Sequence, residues 1–456
     1  MKTYIIVGII LVALVALLAT NKKLVETLKN IFKIEELRQR ILFTLGLLLI
    51  YRLGSFVTLP GVDHSILEQW TQNFANDGSS LMGLLNIFSG GAFSQASIFA
   101  LGVMPYITAS IIIQLLGIMV PYFRKMQREG ESGRRKMNQW TRFLTIAVLL
   151  LQAPAYLATQ VISSGAVVAN GDFLGIPNGQ FIVPAVIILI AGTMFIMWLG
   201  EKITDKGIGN GISLIIMIGI VARLPQSFLQ ELMFQTTGGG SIIMLLVELV
   251  FLALVFMLAI AIVQAVRKIP VQYAKRIVGN KQYGGVRQYI PLKLNAANVM
   301  PIIFAQALMF IPGLIWGGQW LDITSFWYNF TLVVLVIAFT YFYTAIIVNP
   351  QMMADDMKRN GGFIPGVKPG KSTVTYIDDI MTRITLPGSV FLAIITILPA
   401  IAMSLGITQG FAYFFGGTSL LIMVGVVLDT LKQIESYLLM RHYDGLMKTG
   451  RIQGRY

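Results

Sequence analysis

The feature that most constrains this chain is a recurring one: stretches of about 20 mostly apolar residues follow one another from end to end, separated by short polar connections. A stretch of that length satisfies its own backbone as a helix and matches the hydrocarbon thickness of a bilayer. Composition agrees, with 55% of 456 residues hydrophobic, 12% charged and a mean hydropathy of +0.73, too apolar for a soluble fold of this size. The reading is one polytopic membrane domain without a soluble module. With 0 cysteines, no disulfide or thiolate site can form. His64 and His442 are far apart in sequence and read as loop or interface residues.

The net charge of +14 is concentrated in alternate connections, the signal that sets orientation. No Lys or Arg occurs from Leu53 to Phe123, after which Arg124, Lys125, Arg128, Arg134, Arg135 and Lys136 arrive together. Residues 267–293 hold seven basic residues and no acid, and Lys358, Arg359, Lys368, Lys371 and Arg383 fill a further loop. These loops face the cytoplasm, whereas 312–330, with Trp316, Trp320, Trp327 and Tyr328, faces outward. The expected spans are 41–59, 96–120, 141–159, 182–199, 211–230, 241–264, 295–312, 331–348, 386–404 and 412–430. Ten spans split as five plus five, and an odd-numbered half runs opposite to its partner, so an inverted repeat is the natural architecture. No repeat is visible in the residues themselves. The apolar piece 81–88 is too short to cross, is broken by Ser89-Gly90-Gly91, and reads as a re-entrant half-helix.

The spans are nearly empty of ionisable groups, which ion-coupled carriers usually place in the membrane. Arg52 and Arg223 sit toward outer ends and snorkel, and Glu248 reads as a protonated or locally paired acid. No His-Glu-x-x-His, no intramembrane aspartate pair and no phosphate-binding Gly-x-x-x-x-Gly-Lys-Ser/Thr is present, so the chain reads as no enzyme, with no cofactor. What remains is a pathway with apolar and uncharged polar walls entered from a basic face, which suits polypeptide. The alternative is an inverted-repeat secondary transporter, for which Glu248 is the sole support.

Five ordered blocks carry a resemblance: Asn86 through Ile107, Gly130-Glu-Ser-Gly-Arg-Arg-Lys136, Gly207-Ile-Gly-Asn-Gly-Ile-Ser213, Phe342-Tyr-Thr-Ala345 with Asn349-Pro350, and Phe415-Gly-Gly-Thr-Ser-Leu-Leu-Ile422. From about Ile31 to Met447 the chain resembles the SecY family. The resemblance implies an all-α polytopic protein of ten spans, arranged as two inverted five-helix halves around an hourglass pore that conducts unfolded secretory polypeptides and releases hydrophobic segments into lipid. It implies a waist of Val103, Ile107, Ile216, Ile303 and Ile422, branched aliphatics that seal around a moving chain without holding it. It implies a plug over 81–93, with Leu81, Leu84, Leu85, Asn86, Phe88, Gly90 and Gly91, and a lateral gate tuned by Gln114, Thr141 and Asn295 on its spans. Docking is expected at Lys275, Arg276, Arg287, Lys293, Lys358, Arg359, Lys368 and Lys371. The implied partners are the ribosome, a SecA-like motor ATPase, small SecE-like and SecG-like subunits, signal peptides with their unfolded polypeptides, and anionic lipids. The implied location is the bacterial inner membrane with a cytoplasmic C-terminus. Where the family usually has Arg-Pro-Gly, this chain has Lys368-Pro369-Gly370, which keeps the charge and loses the planar fork.

The expected divisions are an extra apolar segment 1–20, an amphipathic helix 21–40, an N-terminal half 41–230, a hinge with the sixth span 231–264, a basic loop 265–294, the remaining spans 295–430 with the loop 349–385, and a tail 431–456. Residues 4–19 have the apolar core of a signal peptide but no convincing cleavage site. The six basic residues from Lys22 to Arg40 favour an eleventh, outside-to-inside span, with a misassigned start codon as the alternative.

Overall fold

The computed structural model describes residues 34–63, 65–67, 86, 89–167, 179–237, 241–273, 276–278, 281–283, 287–316 and 324–448. Its helices are α1 Glu35–Gly54, α2 Met104–Met119, α3 Pro121–Arg128, α4 Glu131–Tyr156, α5 Gly179–Lys206, α6 Gly211–Thr237, α7 Ile242–Gln264, α8 Met300–Trp316, α9 Phe326–Ile347, α10 Pro350–Arg359, α11 Lys371–Ser404, α12 Gln409–Ala412 and α13 Gly417–Lys448. The strands are β1 Val266–Tyr273, β2 Arg276–Val278, β3 Lys281–Tyr283, β4 Arg287–Lys293 and β5 Gly362–Phe363. Among the described residues seven helical segments are long and apolar enough to cross a membrane, or eight if the bent pair α2 and α3 is one span. The shorter α1 and α8 occupy the first and seventh expected runs. The chain divides into two compact units, Met1–Gly240 with Val426–Tyr456, and Ser241–Gly425.

In the first unit the buried core gathers Leu59, Tyr156, Leu157, Val161, Phe181, Ala185 and Leu189. Thr58 bridges Ser97, the amide of Leu59 donates to the Ala96 carbonyl at 2.8 Å, and that of Ile98 donates to Val57 at 2.9 Å. Apart from the bridge at Ser97, residues 89–103 are turns, so the helix expected to begin at 96 starts at Met104. The reason is backbone conformation: Gly90, Gly91, Ala96 and Gly102 all have positive φ, which no α-helix accommodates.

In the second unit the architecture departs from a purely helical one. β1 pairs antiparallel with β4, from Val266 opposite Lys293 to Gln272 opposite Arg287, and with β5 at Gln272–Phe363 and Tyr273–Gly362. This sheet, in the order β4-β1-β5, covers a small core of Ile269, Val271, Leu292, Met357, Ile364, Ile377 and Met381. The two basic connections expected as loops, 265–294 and 349–385, thus meet in this sheet and share an apolar interior. α11 starts at Lys371, well before the span expected from 386. Its first turns are charged, yet Ile377, Ile380, Met381 and Ile384 fall at helical spacing and pack toward the sheet.

Candidate channel and docking site

The described end of the expected plug is fixed in the first unit by polar contacts and close backbone approach. Nη1 of Arg52 donates to the Gly90 carbonyl at 2.8 Å. Gly90, at φ +65°, lies so near α6 that a Cβ there would stand 2.8 Å from Cα of Gly219. A Cβ on Gly91 would be 3.4 Å from the Arg223 guanidinium. The hydroxyl of Tyr156 donates to the Phe93 carbonyl at 2.7 Å, and the two rings lie 4.8 Å apart. Asn86 folds this end over itself, accepting from the Gly91 amide at 2.9 Å through its carbonyl and from the Ser94 amide at 3.3 Å through its side chain. Leu81, Leu84, Leu85 and Phe88 lie outside the described residues.

Each expected waist residue stands at or within two turns of a helix start. Val103 precedes α2, Ile107 is in its first turn, and Ile216 is in the second turn of α6. In the second unit Ile303 is in the first turn of α8 and Ile422 in the second turn of α13. Val103, Ile216 and Ile422 are buried, and Ile107 and Ile303 half-buried.

Aligning these helix starts exposes a repeat that the bare sequence conceals. Val103-Met-Pro-Tyr-Ile107 before and into α2 matches Val299-Met-Pro-Ile-Ile303 before and into α8. The backbone repeats too: Gly102 and Asn298 have φ of +53° and +52°. The carbonyl of Val103 caps the amide of Ile107 at 3.0 Å, and that of Val299 caps those of Ile302 and Ile303 at 3.1 and 3.3 Å. Likewise Gly211-Ile-Ser-Leu-Ile-Ile216 opening α6 matches Gly417-Thr-Ser-Leu-Leu-Ile422 opening α13. Similarity confined to five or six residues at helix starts disappears among apolar residues generally, and only known boundaries bring it out. The comparison adds Val299 as the counterpart of Val103.

The docking residues lie on the sheet and its neighbours. Lys293 ends β4, Lys358 and Arg359 close α10, Lys368 lies in the turn after β5, and Lys371 opens α11; all five are solvent-accessible, and none is in an ion pair among the described residues. Arg276 and Arg287 belong to β2 and β4, and Lys275 lies outside the described residues. The pairing of β1 with both β4 and β5 thus places cations from two connections on one platform.

The SecY family profile matches residues 97–431. The chain belongs to the SecY family. The protein translocase subunit SecY of Corynebacterium glutamicum is 42% identical over 445 residues, covering 91% of this chain and 98% of that one. The fold is similar to that of a solved protein-conducting channel, with a TM-score of 0.56, 18% identity and coverage of 87% and 91%. It is similar also to Sec61 in the canine ribosome-channel complex from the endoplasmic reticulum, with a TM-score of 0.53, 16% identity and the same coverage. The chain is a multi-pass membrane protein and a channel subunit that translocates protein, and the transporter alternative is set aside.

The gate residues expected from the SecY family fall differently from one another. Gln114 is exposed on α2, with Nε2 3.4 Å from the Ser110 hydroxyl. Thr141 is buried on α4 and donates to the Met137 carbonyl at 2.9 Å, a bond within its own helix. Asn295 is not on a span: it is buried in the turn between β4 and α8, and its Oδ1 has no hydrogen-bond partner among the described residues. The span expected from 295 therefore begins as a helix only at Met300, after a turn in which Asn298 takes a positive φ. Glu248 is buried on one face of α7 with Leu245, Val255 and Ala259.

Proposed function

We propose that the chain passes unfolded secretory polypeptides across a bacterial inner membrane and hydrophobic segments sideways into lipid. Val103, Ile107, Ile216, Val299, Ile303 and Ile422 form its apolar seal. The observation that carries this reading is the repeat-related placement of branched aliphatics at four helix starts, since a seal against water and ions needs such side chains and no strong hydrogen-bonding group. Residues 81–93 act as the plug. Its described end at Ser89–Phe93 is held by Arg52 and Tyr156.

The basic platform receives the partners. Lys293, Lys358, Arg359, Lys368 and Lys371 offer accessible charge to ribosomal RNA or to an acidic face of a SecA-like motor, and to anionic lipid beside them. SecE-like and SecG-like subunits complete the assembly. The basic connections and the C-terminus lie in the cytoplasm. Gln114 and Thr141 are the polar groups of the lateral gate, each now hydrogen-bonded within its own helix. Single-channel conductance in a planar bilayer tests the seal. The intact chain is expected to be silent, deletion of residues 81–93 to flicker open, and a double Ile107→Ser, Ile303→Ser variant to leak continuously. Silence in all three would overturn the reading.

A further inference from the structure

The Gly207–Ser213 block has no role in the reading above, yet its backbone is held by side chains from two distant helices of the first unit and from the helix just before it. The amide of Ile208 donates to Oγ1 of Thr44 on α1 at 3.1 Å, and that hydroxyl in turn donates to the Arg40 carbonyl at 2.9 Å. The amide of Gly209 donates to Oε1 of Gln433 on α13 at 2.7 Å. The amide of Gly211 donates to Oγ1 of Thr204 on α5 at 2.9 Å. The amide of Ser213 donates to Oδ1 of Asn210 at 3.3 Å.

The glycines follow from this packing. Gly209 has a φ of +81°, and a Cβ there would stand 3.0 Å from Oγ1 of Thr430. A Cβ on Gly207 would run into Thr44, and one on Gly211 into the Gly200 carbonyl. α1 and α13 also meet beside the turn, where the Arg40 guanidinium lies 5.2 Å over the Tyr437 ring. A four-residue connection between α5 and α6 would otherwise leave its amides to water.

We propose that this turn is a pin that sets the position of Ile216, with Thr44 and Gln433 as its positioning residues. Ile216 lies five residues past Gly211 on α6, roughly 7–8 Å along a rigid helix, so a shift of the turn is passed to it directly. The link to channel sealing rests on the waist reading of Ile216; the pin itself does not.

The chain has 0 cysteines, so a single Ile216→Cys reports alone. Its modification rate by a membrane-impermeant maleimide is measured in the full chain in vesicles, with Val103→Cys as the reference position. Gln433→Ala, and separately Thr44→Val, are expected to change the rate at position 216 on the order of two- to tenfold, the equilibrium weight of one net hydrogen bond. The rate at 103 should stay unchanged. Gln433→Glu and Thr44→Ser keep an acceptor oxygen and are expected to preserve the original rate. Unchanged rates at 216, equal changes at 216 and 103, or failure of the conservative variants would each overturn the pin. Because Gln433 is exposed, its variants are readable even if Thr44→Val does not fold. Ion leak through Ile216→Ser tests the waist separately: a silent Ile216→Ser with a Gln433-sensitive label leaves the pin standing and removes Ile216 from the seal.

Discussion

Glycine serves two separate purposes at Gly90, and Gly165 separates them. The φ of +65° at Gly90 costs an L-residue roughly 1–2 kcal/mol, and its missing Cβ admits the backbone of Gly219. Gly165 has a comparable φ of +71° but nothing within 4 Å of a Cβ. Gly90→Ala is therefore expected to lower the thermal unfolding midpoint more than Gly165→Ala and, alone of the two, to raise resting conductance. Equal midpoint shifts with no leak would show that strain, and not the close approach to α6, is what Gly90 relieves.

At the scale of elements, the Asn349-Pro350 block is a helix start. The Asn349 side chain accepts from the amides of Gln351 and Met352 at 3.0 and 3.2 Å, and Pro350 occupies the first helical position, where no amide is needed. α10 carries Lys358 and Arg359 at its other end and buries Met357 in the platform core. Asn349→Ala should cost about 1 kcal/mol. Increased proteolysis within 350–359 in inverted vesicles would report it, with Asn349→Asp protected as in the original chain. Equal protection in both variants would mean that packing against the sheet alone holds the helix.

At the scale of the whole molecule, the distribution of charge predicts how docking responds to salt. The accessible cations on the platform release counterions when they meet nucleic acid, so ribosome binding to reconstituted vesicles should weaken steeply as salt rises. Replacing Lys358, Arg359 and Lys368 together by Gln should reduce the magnitude of the log–log slope by about 0.7–0.9 for each phosphate that is no longer neutralised. An unchanged slope would remove these three from the ribosome-facing surface.

By itself the sequence determined that this is a helical membrane protein, because hydrocarbon thickness acts on local runs of residues, and its charge asymmetry sets the expected orientation. The SecY blocks and the aliphatic character of Ile107, Ile216, Ile303 and Ile422 were legible for the same local reason. Tertiary structure decided the rest. That 265–294 and 349–385 share one sheet depends on pairing β1 with β5 across about ninety residues, which no local pattern encodes. That Asn295 lies in a turn, that Gly207–Gly211 receives Thr44 and Gln433, and that Val299 mirrors Val103 all depend on where helices begin. These contacts join residues far apart in the sequence or depend on single backbone conformations, and only the paths of the backbone hydrogen bonds reveal them.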